Sequence, residues 1–215
     1  MNIDIHPKDD NISWQELVDL FHESFQERLD QGLHFTCSYF TAEELERRGA
    51  NNTVLVAIDQ DNHQLVGTAF IEIMHDKKKK WGYLTNMAIR PDCKRYGIGS
   101  KLEQQRMAIA QANDCDYVIS DTAVGATSSV KWHLKNGFKK VKMTSFDATN
   151  YYSYIFRKQL KPHPLWSSDW YCRMRLFLSS ITCRLKFHKN GNYTALMKLY
   201  VKIFDFFMPT EDSNH

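Results

Sequence analysis

Long apolar runs are missing from this chain. No uncharged stretch approaches the roughly 18 residues that a membrane-spanning helix needs, so no transmembrane segment is expected. The opening MNIDIHPKDD is too polar for a signal peptide, and a cytoplasmic protein is expected. Cysteines are few and scattered: Cys37, Cys93, Cys115, Cys172 and Cys183 are five in number and show no CxxC spacing. That excludes a disulfide framework and a cysteine-rich zinc site, leaves reduced thiols, and gives no reason to expect a metal. A strong excess of one charge is also lacking. The formal net charge of +3 is too small to argue for nucleic acid as a partner. Neither an internal repeat nor a low-complexity linker interrupts the chain.

What is present is an ordinary globular composition, 43% hydrophobic and 25% charged over 215 residues, enough for one well-buried core. Asn2–Ile5 reads as a short strand. From Ser13 to Leu29, Trp14, Leu17, Leu20, Phe21 and Phe25 recur at helical spacing behind a serine cap. Gln31–Phe40 is irregular. Thr41 with Glu44 fits a capping box for a helix ending near Gly49. Thr53–Ile58, Gln64–His75 and Trp81–Ile89 alternate with polar turns and predict an antiparallel meander. Among the turns, Lys77–Lys80 is a solvated, charged reversal that discourages edge pairing. A loop over Arg90–Tyr96 leads to a helix over Gly97–Asn113, a strand at Tyr117–Ser120, a short helix at Ser128–Lys135, and closing strands at Gly137–Lys142 and Tyr151–Lys158. This order indicates one mixed α/β domain.

The most informative segment joins strand to helix: Tyr83-Leu-Thr-Asn-Met-Ala-Ile-Arg-Pro-Asp-Cys-Lys-Arg-Tyr-Gly-Ile-Gly-Ser-Lys-Leu102. Gly97 and Gly99 let the backbone approach a ligand where a Cβ would obstruct it. The free N–H groups of the helix's first turn, aided by its dipole, suit phosphate oxygens, and Lys94 and Arg95 add positive charge. The segment is neither a P-loop, which requires Gly-Lys-Ser/Thr, nor a dinucleotide fingerprint, which requires a third glycine. It resembles the acetyl-CoA loop of the GNAT superfamily, Arg/Gln-x-x-Gly-x-Gly/Ala, here Lys94-Arg95-Tyr96-Gly97-Ile98-Gly99 with lysine in the first position. The resemblance extends upstream through the meander and downstream through Ser128-Ser-Val-Lys-Trp-His-Leu-Lys-Asn-Gly-Phe138 to Tyr151-Tyr-Ser-Tyr-Ile-Phe-Arg-Lys158.

The resemblance implies a GNAT-like acyl-CoA N-acyltransferase fold over residues 1–160, with acetyl-CoA as co-substrate. Strands Trp81–Ile89 and Tyr117–Ser120 would splay, the pantetheine arm would pair near Met87, Ala88 and Ile89, and the diphosphate would lie on Arg95–Ser100. Ser128 stands where relatives often carry an asparagine that touches the cofactor. In many relatives a tyrosine four residues before the Gly-Phe pair protonates the leaving thiolate; here that position holds His133. An imidazole can serve as acid or base near neutral pH. Asn86 would hold a water or the acceptor amine. Glu72 and Asp121 are the carboxylates within reach as bases, and Glu72 is taken with His133 and Asn86 as the catalytic set. Direct attack by a primary amine of a small molecule or sugar precursor is expected, since Cys93 and Cys115 have no partner that would activate them. Rival readings are O-acyl or longer-chain transfer on the same fold, or an acyl-CoA-binding scaffold without turnover. The Phe21–Phe40 region and the strand-end loops are expected to choose the acceptor.

Two prolines at Lys161-Pro-His-Pro164 mark a composition shift. Residues 161–215 carry eight basic against four acidic residues and read as two amphipathic helices, Ser168–Phe187 and Tyr193–Met208. Their apolar faces need cover. Packing on the core or on a second subunit is the expectation, with peripheral membrane contact as the alternative.

Overall fold

The computed structural model describes residues 2–146 and 149–188. Its seven strands are β1 (Ile3–Pro7), β2 (Thr53–Asp59), β3 (Gln64–His75), β4 (Lys80–Ile89), β5 (Tyr117–Ala123), β6 (Lys139–Ser145) and β7 (Tyr152–Gln159). They form one sheet in the order β1-β2-β3-β4-β5-β7-β6. The first four make the expected antiparallel meander. β4 and β5 are parallel, and β7 inserts antiparallel between β5 and β6. The described helices are α1 (Trp14–Asp30), α2 (Ala42–Gly49), α3 (Ile98–Ala112), α4 (Thr127–Lys135) and α5 (Asp169–His188). α3 is the crossover that a parallel strand pair requires.

Local chemistry accounts for most boundaries. Ser13 and Glu16 form a complete capping box: Ser13 Oγ accepts from the Glu16 N–H at 3.2 Å and Glu16 Oε2 accepts from the Ser13 N–H at 2.7 Å. At α2 only half of the expected box exists. Thr41 Oγ1 accepts from the Glu44 N–H at 3.2 Å, but the Glu44 carboxylate turns to Arg48 at 2.8 Å, one turn on. The lysine reversal is pinned by Asp76, whose carboxylate accepts from the N–H groups of Lys78 and Lys79 at 2.7 Å each. β6 starts two residues later than expected. Gly137, at φ +82°, ends α4 in a Schellman turn, with Phe138 N–H donating to the His133 carbonyl at 3.0 Å and Gly137 N–H to that of Leu134 at 3.2 Å. β5 runs on to Ala123 because β7 pairs along its whole length.

Helices cover both faces of the sheet. On one face Leu17, Leu20 and Phe21 of α1 and Leu45 of α2 pack over Val54, Val56 and Phe70. On the other, Ile98 and Leu102 of α3 cover Leu55 and Ala57, while Ala110 meets Ile71, Leu84 and Val118. Each large side chain buried in this way is worth about 1.5–3 kcal/mol. α5 packs one face on β6. Trp166 and Cys172 cluster with Val141, Ser179 Oγ accepts from the Met143 N–H at 2.9 Å, and Lys139 pairs with Asp169 at 2.7 Å. The guanidinium groups of Arg157 and Arg175 both lie against the Trp166 ring, 4.1 and 4.6 Å from its centroid. The second helix expected, Tyr193–Met208, lies outside the described residues.

Candidate active site

Two departures from regular strand pairing open the site. The β4–β5 ladder stops at Leu84 and Ser120, leaving the rest of that edge of β4 without a strand partner among the described residues. On the other edge, Phe70 pairs with Thr85 but Thr68 pairs with Ala88, so β4 holds one residue more than β3. Such a bulge bends the strand. Asn86 sits in it at φ +48°, a left-handed conformation that asparagine tolerates better than most residues. Arg106 of α3 reaches into this region. Its Nη1 donates to the carbonyls of Phe70 at 3.2 Å and Thr85 at 3.3 Å, and its other nitrogens bond Glu103. Both side chains of this ion pair are buried, at 4% and 5% exposure.

The split opens into a cavity of about 920 Å³. Its wall includes Met87, Ala88, Ile89, Lys94, Arg95 and Gly99, with Ser128 and His133 from α4 and Glu72 and Asn86 from β3 and β4. Tyr96, Gly97, Ile98 and Ser100 are not part of that wall. Tyr96 is 63% exposed, and the Ile98 side chain is buried in the core, so only the backbone of Ile98 can serve a ligand. Among the described residues no side chain caps the α3 N-terminus, and Gly97 supplies its left-handed entry at φ +80°. Arg95 is also left-handed, at φ +72°. A Cβ on Gly99 would stand 2.9 Å from Ile89 Cδ1. The loop therefore offers uncapped N–H donors at a close backbone approach, beside Lys94, whose only ion pair among the described residues is a 4.0 Å contact with Glu27. These features fit a pyrophosphate.

Strand alternation sorts the remaining polar groups. Glu72 pairs across with Tyr83, and Tyr83 Oη donates to Asp121 Oδ1 at 2.9 Å, all on the sheet face that α1 and α2 cover. Burial pushes the Asp121 carboxyl above its usual range, and the Tyr83 hydrogen bond only partly offsets this. Glu72 is half-buried and has no hydrogen bond among the described residues. Near Asp121, burial pushes the Cys37 thiol up to about 12, with Arg28 and Asp121 both acting on it. Arg28 lies over the rings of Phe25 and Phe35, 5.4 and 5.2 Å from their centroids, and no described carboxylate pairs with it.

His133 approaches from the opposite face. Its Nδ1 donates to the Ser129 carbonyl at 2.8 Å, which leaves Nε2 as the acceptor facing Ser120 Oγ at 3.2 Å. The ring stacks on Phe156 at 4.4 Å, and burial lowers its pKa, so the imidazole is neutral at neutral pH. Among the described residues no group of three His, Cys, Asp or Glu could hold a metal. Cys93 and Cys115 are buried thiols with raised pKa values. Tyr83, Ser120, Arg28 and Arg106 were not legible as site residues from the sequence. Tyr83 alone left a signal, since it shares strand parity with Trp81 and Thr85 ahead of the bulge.

The model of the acetyltransferase (GNAT) family matches residues 14–138, more than half of the chain, and the chain belongs to that family. A comparison with curated proteins gave no match. Among solved structures, the NatC complex bound to Gag peptide and CoA is similar over 75% of this chain and all of the matched chain, at 14% identity and a TM-score of 0.61. A GNAT-family acetyltransferase from Staphylococcus aureus Mu50 is similar over 74% of this chain and all of its own, at 16% identity and a TM-score of 0.59. PaiA N-acetyltransferase from Thermoplasma acidophilum, in complex with coenzyme A, is similar over 74% and 99% of the two chains, at 16% identity and a TM-score of 0.57. At these identities the likeness is one of fold. Among the described residues no helix is long and apolar enough to cross a membrane.

Proposed function

We propose that the chain transfers an acetyl group from acetyl-CoA to a primary amine of a small molecule by direct attack. The observation that carries this reading is a single cavity joining the uncapped α3 entrance, the unpaired edge of β4 and the Asp121–Tyr83 pair. In this reading the diphosphate lies on the backbone from Arg95 to Ser100, with Lys94 and Arg95 beside it. The pantetheine arm runs along Met87, Ala88 and Ile89, and Ser128 lines the opposite wall. Solved relatives of the same fold hold CoA or acetyl-CoA, which supports the choice of donor.

Proton traffic follows from the two faces. The Asp121 carboxylate takes a proton from the incoming ammonium, with Glu72 on the same face and Asn86 positioned toward the amine. As the new C–N bond forms, the nitrogen must lose a second proton and the breaking C–S bond leaves a thiolate. Neutral His133 can accept that proton at Nε2 through the Ser120 hydroxyl and return it to sulfur, so no net proton is left on the ring. His133→Phe is expected to lower kcat by about 10²-fold or more while leaving acetyl-CoA affinity intact. Unchanged turnover across the pH range would remove the histidine from the mechanism.

Acetyl-CoA at about 100 times its Kd is expected to stabilise the fold by about 2.7 kcal/mol, read as a rise in melting temperature. No rise would sink the assignment. With binding shown, release of CoA thiol against a panel of small amines separates an enzyme from a non-turning binder.

A further inference from the structure

The face of α5 that points away from β6 is the strongest feature that acyl transfer leaves unused. Trp170, Met174, Phe177 and Ile181 follow one another at four-, three- and four-residue steps, which places them on one line of the helix. Trp170 is 71% exposed and Phe177 64%, Met174 and Ile181 are half-buried beside them, and Leu165 just before the helix is 53% exposed. Arg173 and Arg184 are exposed along the same side. The opposite side of the helix carries Cys172, Arg175, Ser179 and Cys183, all buried. α5 is thus fastened to the sheet along one side and presents an aromatic stripe with arginines on the other.

We propose that this stripe seats the protein on an anionic lipid surface, with α5 lying parallel to the bilayer plane. An in-plane helix of this kind buries its apolar line at the acyl boundary, places tryptophan near the headgroups, and sets basic side chains against lipid phosphates. Charge favours lipid over a second copy of the chain. The arginines on the stripe would face those of the other copy, and Asp169 at its edge is already engaged with Lys139. Lipid docking does not depend on the acyl-transfer reading.

The test is sedimentation of the full chain with vesicles of phosphatidylcholine alone or of phosphatidylcholine mixed with phosphatidylglycerol. Binding is expected to the mixed vesicles, about tenfold or more above the neutral ones, and to weaken as salt is added. Trp170→Ser combined with Phe177→Ser should lose vesicle binding while keeping the melting temperature, because both side chains are exposed. Arg173→Gln combined with Arg184→Gln should lose the preference for anionic vesicles. Three results would overturn the proposal: no binding to either vesicle, binding that both double variants retain, or a self-association that the aromatic variant abolishes without any vesicle binding.

Discussion

Replacing Arg106 with methionine is expected to cost the fold about 3–5 kcal/mol, measured as a lower midpoint in urea unfolding. Three groups lose their partner at once. The Glu103 carboxylate stays buried with its charge unmatched, and the Phe70 and Thr85 carbonyls lose the donor that satisfies them at the bulge. An unpaired buried charge is the largest of these penalties. A second substitution separates the contributions. Glu103→Leu on top of Arg106→Met removes the stranded carboxylate and should recover a large part of the loss, leaving the cost of two carbonyls. If the double variant is as unstable as the single one, the carbonyl contacts carry the effect and the ion pair does not. Because Arg106 also lines the cavity, the single variant should bind acetyl-CoA less tightly as well.

Asp121→Asn should lower kcat/KM toward a small amine by about 10²–10⁴-fold with little change in acetyl-CoA affinity. The shift in its pKa sets both the pH dependence and the stability outcome. Burial raises the folded-state value above the ordinary 3.8, so the carboxylate needed as base disappears as pH falls through that raised value. The wild-type rate should therefore have an acid limb above the usual carboxylate range, and the residual rate of the asparagine variant should lack it. For stability the sign is opposite. A carboxyl with a raised pKa holds its proton more tightly when folded, so its contribution is full below 3.8 and is lost as pH rises through the folded value. Wherever the carboxyl is ionised the fold carries a buried charge, and a neutral amide that still accepts from Tyr83 should then fold at least as stably. Loss of activity accompanied by loss of stability would count against the assignment of Asp121 as base.

Local signals carried the fold well. Ser13 as a cap, the apolar runs of Thr53–Ile58 and Gln64–His75, and the paired glycines at 97 and 99 each depend on neighbours within a few residues, and each element lies where they indicate. Thr41 with Glu44 shows the limit of such reading, because Arg48 competes for the same carboxylate from one turn away. The candidate site was legible only in part. A Glu and an Arg three apart on a helix usually form a solvated pair, and nothing local to Glu103 and Arg106 says that β3 and β4 lie on top of them. Tyr83 and Asp121 are 38 residues apart and meet only because two parallel strands bring them side by side. His133 was found by its place before Gly137. Its tautomer and neutrality come from Ser129, Ser120 and Phe156, which sequence spacing does not reveal.

The bulge at Asn86 means that the cleft depends on strand length as much as on side-chain identity. β4 carries one residue more than its partner needs, and the ladder to β5 stops just before it, at Leu84 and Ser120. A chain lacking Asn86 would keep every side chain of Met87–Ile89 on its present face, since the remaining residues would fall back into regular alternation with β3. Straightened, β4 could zip onward along Asp121 and Thr122, gain ladder hydrogen bonds and close the gap. Such a protein would be expected to fold as well as this one, or better, with nowhere to put a thioester. Point substitutions and a single-residue deletion in this strand therefore report on different things: the first on the chemistry of the site, the second on whether a site exists at all.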